Sequence, residues 1–171
     1  MRPVLYQQGL SGDVSACDTI TVELHNATTP FAVFSSVNAL LRENGTATVT
    51  FPLYIAGQSY YISIRHRNSL ETWSMLPVFF TGNPVSYDFT NAVSQAFSKN
   101  LKILNDGKTS LFSGDVNQDG LVNLTDFNAI EVSKQVFLYG YFTDDLNGDG
   151  VIESTDYSLL ENNISRMSMR P

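Results

Sequence analysis

Cysteine, histidine and tryptophan are nearly absent from this 171-residue chain, which has one, two and one of them respectively. The lone Cys17 excludes a disulfide framework within the chain and says little about compartment. No run is long and apolar enough to span a bilayer. Bases are also scarce, with 10 Lys and Arg against 17 Asp and Glu, so no basic patch is offered to nucleic acid. The catalytic signatures G-x-S-x-G and H-E-x-x-H and a phosphate-binding glycine loop are missing. Cys17 and His25 stand about 26 Å apart in extended chain and cannot meet as thiol and base along one strand. His25 and His66 read as hydrogen-bonded sheet residues. Glu23, Glu43, Glu71 and Asp88 could supply a carboxylate pair for glycoside hydrolysis, but a domain of this size is small for the cleft such chemistry needs. With no nucleophile, base or metal constellation of a catalytic kind, the expectation is a protein that is not an enzyme.

What the chain does have is acid, and it is unevenly placed. Up to Asn105 acids and bases number six each, whereas beyond it eleven acids face four bases. The excess falls in two stretches whose first aspartates, Asp115 and Asp145, lie thirty residues apart: GDVNQDGLVNLTD (Gly114 to Asp126) and DDLNGDGVIESTD (Asp144 to Asp156). A hard divalent cation takes six to eight oxygens, and a twelve-residue loop delivers them from positions 1, 3, 5, 7, 9 and 12. In the first stretch these are Asp115, Asn117, Asp119, the backbone carbonyl of Leu121, Asn123 and Asp126. In the second they are Asp145, Asn147, Asp149, the carbonyl of Val151, Glu153 and Asp156. Position 6, where the chain turns sharply, is Gly120 and Gly150. Two bound calcium ions are therefore expected, bringing +4 against the formal net charge of −7 and relieving self-repulsion. Position 8 is Val122 and Ile152, placed to pair the two loops as a short antiparallel ladder.

Position 12 is Asp in both loops rather than the bidentate Glu of an EF-hand, and no amphipathic helix precedes either loop. A helix pattern does follow each, through Phe127, Ile130 and Lys134 and through Tyr157, Leu160 and Ile164. This duplicated loop-then-helix motif, from roughly Asp106 to Ser165, resembles a dockerin domain. The resemblance implies two calcium ions, a small three-helix fold, secretion, and docking on a partner module called cohesin. It also implies that loop positions 10 and 11, here Leu124, Thr125, Ser154 and Thr155, contact the partner. The two copies differ there, which points to an asymmetric binder or to a partner other than cohesin.

Length fits two small domains, 1–105 and 106–171, divided in the turn-forming run Asn105, Asp106, Gly107, Lys108. The first reads as a mainly β sandwich, immunoglobulin-like or prealbumin-like, of six to eight strands. Thr19 to Leu24, Thr46 to Phe51 and Ser59 to Ile64 alternate with period two, and Asn44-Gly45 is a tight-turn dipeptide. Phe31, Phe34, Phe51, Tyr54, Trp73, Phe79 and Phe80 are the expected aromatic core. The segment SIRHRNSLETWSMLP (Ser63 to Pro77) reads as a hairpin held by Arg to Glu pairing around a packed Trp73. The stretches ITVELHNATTPFAV, HRNSLETWS and VSYDFTNAVSQAF resemble a β-sandwich module that precedes dockerin-like repeats in secreted proteins of Bacteroidetes-type bacteria.

The expected function is a non-catalytic calcium-binding module of a secreted or cell-surface bacterial protein, mediating attachment to another protein module. An alternative is a structural subunit of an extracellular fibre, docking on neighbouring copies of itself. A lesser alternative is a carbohydrate-binding accessory of a polysaccharide-degrading enzyme. MRPVLYQQGLSG lacks the basic and apolar regions of a signal peptide, which fits a mature form or a fragment.

Overall fold

Apolar residues at every second position give β1 (Ala16–Asn26) two unlike faces. In the computed structural model, which describes residues 2–171, Ile20, Val22 and Leu24 of this strand are buried in an apolar cluster. Thr21, Glu23 and His25 point the other way. β1 pairs antiparallel on one side with β2 (Val33–Arg42) and on the other with β3 (Gln58–His66). A tight turn at Arg67 and Asn68 leads from β3 into β4 (Ser69–Trp73), and β5 (Val78–Phe80) pairs with the start of β3. The sheet thus has the order β2-β1-β3-β4 with β5 beside β3, and the protein is mainly β and antiparallel.

Leu41, Ile55, Tyr60 and Ile62 complete this first core with the β1 residues. The expected aromatic core is only partly found. Trp73 is buried, and Phe51 and Phe80 pack against the cluster, but Phe34, Tyr54 and Phe79 are 38%, 64% and 55% exposed. Aliphatic side chains on the alternating positions fill the space instead. Thr46 to Phe51 also differs from expectation. The Asn44-Gly45 turn forms, with Gly45 at φ +81 and its amide donating to the Arg42 carbonyl at 2.8 Å. Beyond the Arg42 to Thr46 hydrogen bond, however, the chain leaves the ladder. Val49 and Phe51 fold over the apolar face rather than zipping along β2.

The run Asn105 to Lys108 is the turn of a small hairpin, β6 (Lys102–Ile103) with β7 (Thr109–Ser110). Further on come two helices, α2 (Leu124–Gln135) and α3 (Ser154–Glu161), preceded at the other end of the chain by the single turn α1 (Val4–Gln7). α3 stops at Glu161, so Ile164 of the helical pattern lies beyond it and is exposed. Val122, Ile130, Ile152, Tyr157 and Leu160 form a second core with Phe112 and, from the sheet, Leu70 of β4. Leu70 is fully buried there.

Polar contacts reinforce that junction. The Leu70 amide donates to the Phe112 carbonyl and the Gly114 amide to the Asn68 carbonyl, both at 2.8 Å. The Asp145 carbonyl accepts from Arg67 Nη2 and Asn68 Nδ2, each at 3.1 Å. Arg67 Nε and His66 Nε2 meet Asp18 at 2.9 and 3.0 Å, and the Tyr141 hydroxyl donates to the same carboxylate. Burial would raise the Asp18 carboxyl, but His66 and Arg67 outweigh it and hold the group well below the usual carboxylate range. Arg67 therefore pairs with Asp18, not with Glu71 as the hairpin reading expects.

Candidate metal centre

Each of the two acidic loops is wound by its own side chains, and the two windings match. Asp126 Oδ1 accepts from the amides of Val116 and Asn117 at 2.9 and 3.2 Å, and its Oδ2 from Asn123 at 2.9 Å. Asp156 does the same with Leu146, Asn147 and Glu153 at 2.9, 3.1 and 2.9 Å. The last acid of each loop thus pins both the loop's start and the first turn of the helix that follows. Its negative charge also suits the helix N-terminus. Asn117 and Asp119, like Asn147 and Asp149, fold over the amide two residues ahead, at 2.8 to 3.0 Å. Gly120 and Gly150 take φ of +87 and +82, and their amides turn inward to Asp115 Oδ2 and Asp145 Oδ2.

The carboxylates at positions 1 and 12 lie deep. Asp115 is 2% exposed, and Asp126, Asp145 and Asp156 are wholly buried. Asp115 Oδ1 has no hydrogen-bond partner among the described residues. An orphaned buried acceptor of this kind is costly unless something positive meets it. Burial, with the Asp126 charge next, pushes the Asp115 carboxyl up to about 6. Burial also raises Asp156, against the pull of the backbone amides it accepts from. Asp115 and Asp156 are thus raised first by desolvation and further by a neighbouring carboxylate, an environment that a cation would relieve. Positions 1, 3, 5, 9 and 12 offer side-chain oxygens and position 7 a carbonyl, an all-oxygen donor set of the type hard divalent ions take.

Val122 and Ile152 are both buried in the second core, but the loops do not pair with one another. The Val122 amide donates to the Arg166 carbonyl, and Leu121 bridges Met167. Val151 bridges Tyr139, with the Gly140 amide donating to the Gly150 carbonyl. Each loop therefore pairs with the chain that leaves the other loop's helix. Position 8 faces the core, and the ladder bonds go to whichever segment the core brings alongside.

Leu124, Thr125, Ser154 and Thr155 are all exposed at the starts of α2 and α3. Position 10 is the apolar Leu124 in one copy and Ser154 in the other, and Asn147 Nδ2 donates to the Thr155 hydroxyl at 2.8 Å where its counterpart Asn117 Nδ2 donates to Asp119, so the two copies present different faces. The N-terminal segment adds to the asymmetry. Arg2 lies 3.5 Å from Asp149 Oδ2, and the side chains of Val4 and Gln8 abut Gly148 and Gly150 closely enough to meet any added Cβ.

Elsewhere the fold gathers residues that the sequence leaves scattered. Glu23, His25 and Glu71 meet on the polar face of the sheet, whereas Cys17 lies buried near the other end of β1 from His25. No helix among the described residues is long and apolar enough to cross a membrane. No known family model, no curated protein and no solved structure matches this chain.

Proposed function

We propose that the chain is a non-catalytic, dockerin-like calcium-binding module of a secreted bacterial protein, joined to a β-domain and serving extracellular attachment to another protein module. The observation that carries the calcium reading is the buried Oδ1 of Asp115, without a hydrogen-bond partner among the described residues, in a carboxyl that burial and the neighbouring Asp126 charge push up. The matched winding of the second loop supports a second ion. Asp115, Asn117, Asp119, Leu121, Asn123 and Asp126 would hold the first, and Asp145, Asn147, Asp149, Val151, Glu153 and Asp156 the second, each ion serving to screen its carboxylates and brace the helix start.

Calorimetric titration of calcium into the chelator-treated chain should show two sites, with Asp119→Ala and Asp149→Ala each weakening one of them at least tenfold. An isotherm without binding heat, or one that neither variant alters, would sink the reading.

The fibre alternative is favoured by one observation. β2 is an edge strand of ten residues whose only charge is Arg42, and Val33 and Phe34 stand exposed on it. Long edges with little charge recruit further strands. Light scattering behind size exclusion, in millimolar calcium and again in chelator, separates the two readings. A monomer in both buffers fits the adaptor, and calcium-dependent oligomers fit a self-assembling subunit.

A further inference from the structure

We propose that Glu23, His25 and Glu71 form a third cation site, chemically unlike the two loops and suited to a borderline divalent ion such as zinc. Register places them together. Glu23 and His25 are two apart on β1 and share a face, β3 sets Ser63 opposite Glu23, and Trp73 of β4 stands opposite Ser63, with Glu71 two residues before it. Their ligand atoms all lie within 4.8 Å of one another. On a tetrahedral ion with bonds of about 2.1 Å the ligand atoms stand about 3.4 Å apart, so side-chain rotation draws the three inward and solvent takes the fourth position. One imidazole nitrogen and two carboxylate oxygens suit zinc and its first-row neighbours rather than calcium.

The imidazole is held in the orientation that such a ligand needs. His25 Nδ1 lies 2.8 Å from the Phe31 carbonyl, which can only accept, so Nδ1 carries the proton. Nε2 then presents its lone pair to Glu23 Oε2 at 3.1 Å. Two acceptors face each other across that gap unless a proton or a metal ion sits on Nε2. A backbone carbonyl fixing the distal N–H is the usual support of a metal-bound histidine. Glu71 is braced likewise, its Oε1 accepting from Ser63 Oγ at 2.8 Å and Trp73 Nε1 at 2.7 Å, which leaves Oε2 for the cation. His25 and Glu71 are only 5% and 7% exposed. The other partner of Oε2 is Arg170 Nη2 at 2.6 Å, on a side chain 60% exposed next to the chain's last residue. An ion entering the site would displace that guanidinium.

Trp73 reports on the site directly, since it is the only tryptophan and its ring centroid lies 4.0 Å from that of His25. Cobalt(II) titrated into the full chain in millimolar calcium should quench Trp73 fluorescence, saturating at one equivalent and reversed by zinc. His25→Gln should abolish the quench, and Glu23→Gln should weaken it tenfold or more. Arg170→Gln, a surface change, should tighten it severalfold by removing the competing cation. A protonated His25 bridging Glu23, with no metal, gives no saturable quench and no gain from Arg170→Gln. Either that outcome, or unchanged quenching in His25→Gln, overturns the proposal. Calcium binding by the loops is read separately by calorimetry, so the two ideas fail independently.

Discussion

Asp115 concentrates the electrostatics of the first loop in one side chain. Its folded-state carboxyl sits at about 6, above the ordinary 3.8, because burial and the Asp126 charge disfavour the anion. A group raised in this way favours the folded state when protonated. In chelated protein that contribution is complete below the ordinary value and disappears as pH rises through about 6. Calcium binding requires the opposite, a deprotonated ligand. Two slopes of opposite sign are therefore expected. Between pH 7 and 5 the thermal midpoint of the chelated chain should rise on acidification. The calcium affinity of the first loop should fall over the same range, by up to about tenfold per pH unit for one competing proton. Scanning calorimetry in chelator and calcium titrations at pH 7, 6 and 5 check both. Parallel slopes would remove Asp115 from the ligand set. The orphaned Oδ1 was not legible in the sequence, where Asp115 and Asp145 look alike. Only the fold brings the amides of Gly148 and Asp149 within hydrogen-bond geometry of Asp145 Oδ1 and leaves Asp115 Oδ1 outside it.

At the scale of elements, β4 belongs to the sheet by its hydrogen bonds and to the helical half by its packing. Leu70 is fully buried against Phe112, Val122, Ile130 and Leu160. Leu70→Ala should cost about 2–5 kcal/mol, the range for emptying a packed leucine site. Because the lost contacts are those of α2 and α3, the loss should appear as early melting of helical dichroism at 222 nm, not only of the sheet. A variant whose helices melt with the parent would show that the second core does not depend on β4. The helices themselves were readable from the sequence. Asn123 and Asp126 cap α2, and Asp156 closes back on the Glu153 amide at the start of α3. These are contacts between residues two or three apart. What β4 leans on was not readable, because alternation tells which face a residue takes but not which element covers that face.

Besides the packing of Leu70, the halves of the molecule are joined by polar contacts to both loops, most of them to the second. Arg67 and Asn68 grip the Asp145 carbonyl, the shared carboxylate of Asp18 ties Arg67 to Tyr141, and Arg170 at the chain's end returns to Glu71. Under the calcium reading, removing the ions loosens more than the C-terminal third. Hydrogen exchange in chelator should accelerate at 145–156 and also across the β3 to β4 turn and β4, while the β1 amides facing β2 stay protected. Exchange confined to residues beyond 106 would show that the two halves fold separately, as the turn-rich run at Asn105 to Lys108 suggests when read alone.

The sequence by itself determined the features whose physics is local. The oxygen donors at fixed steps, the glycines at positive φ, the helix starts after each loop and the inward alternation of β1 and β3 all depend on residues a few positions apart. Tertiary structure alone decided which distant groups became neighbours. Ladder order brought Glu23, His25 and Glu71 together across three strands, and the second core drew Leu70 out of the sheet's own packing. It also paired each loop with the other loop's exit, and set Arg67 on a carbonyl 78 residues away. Such contacts depend on strand order and on closing long stretches of chain, and periodicity along the sequence carries no record of either.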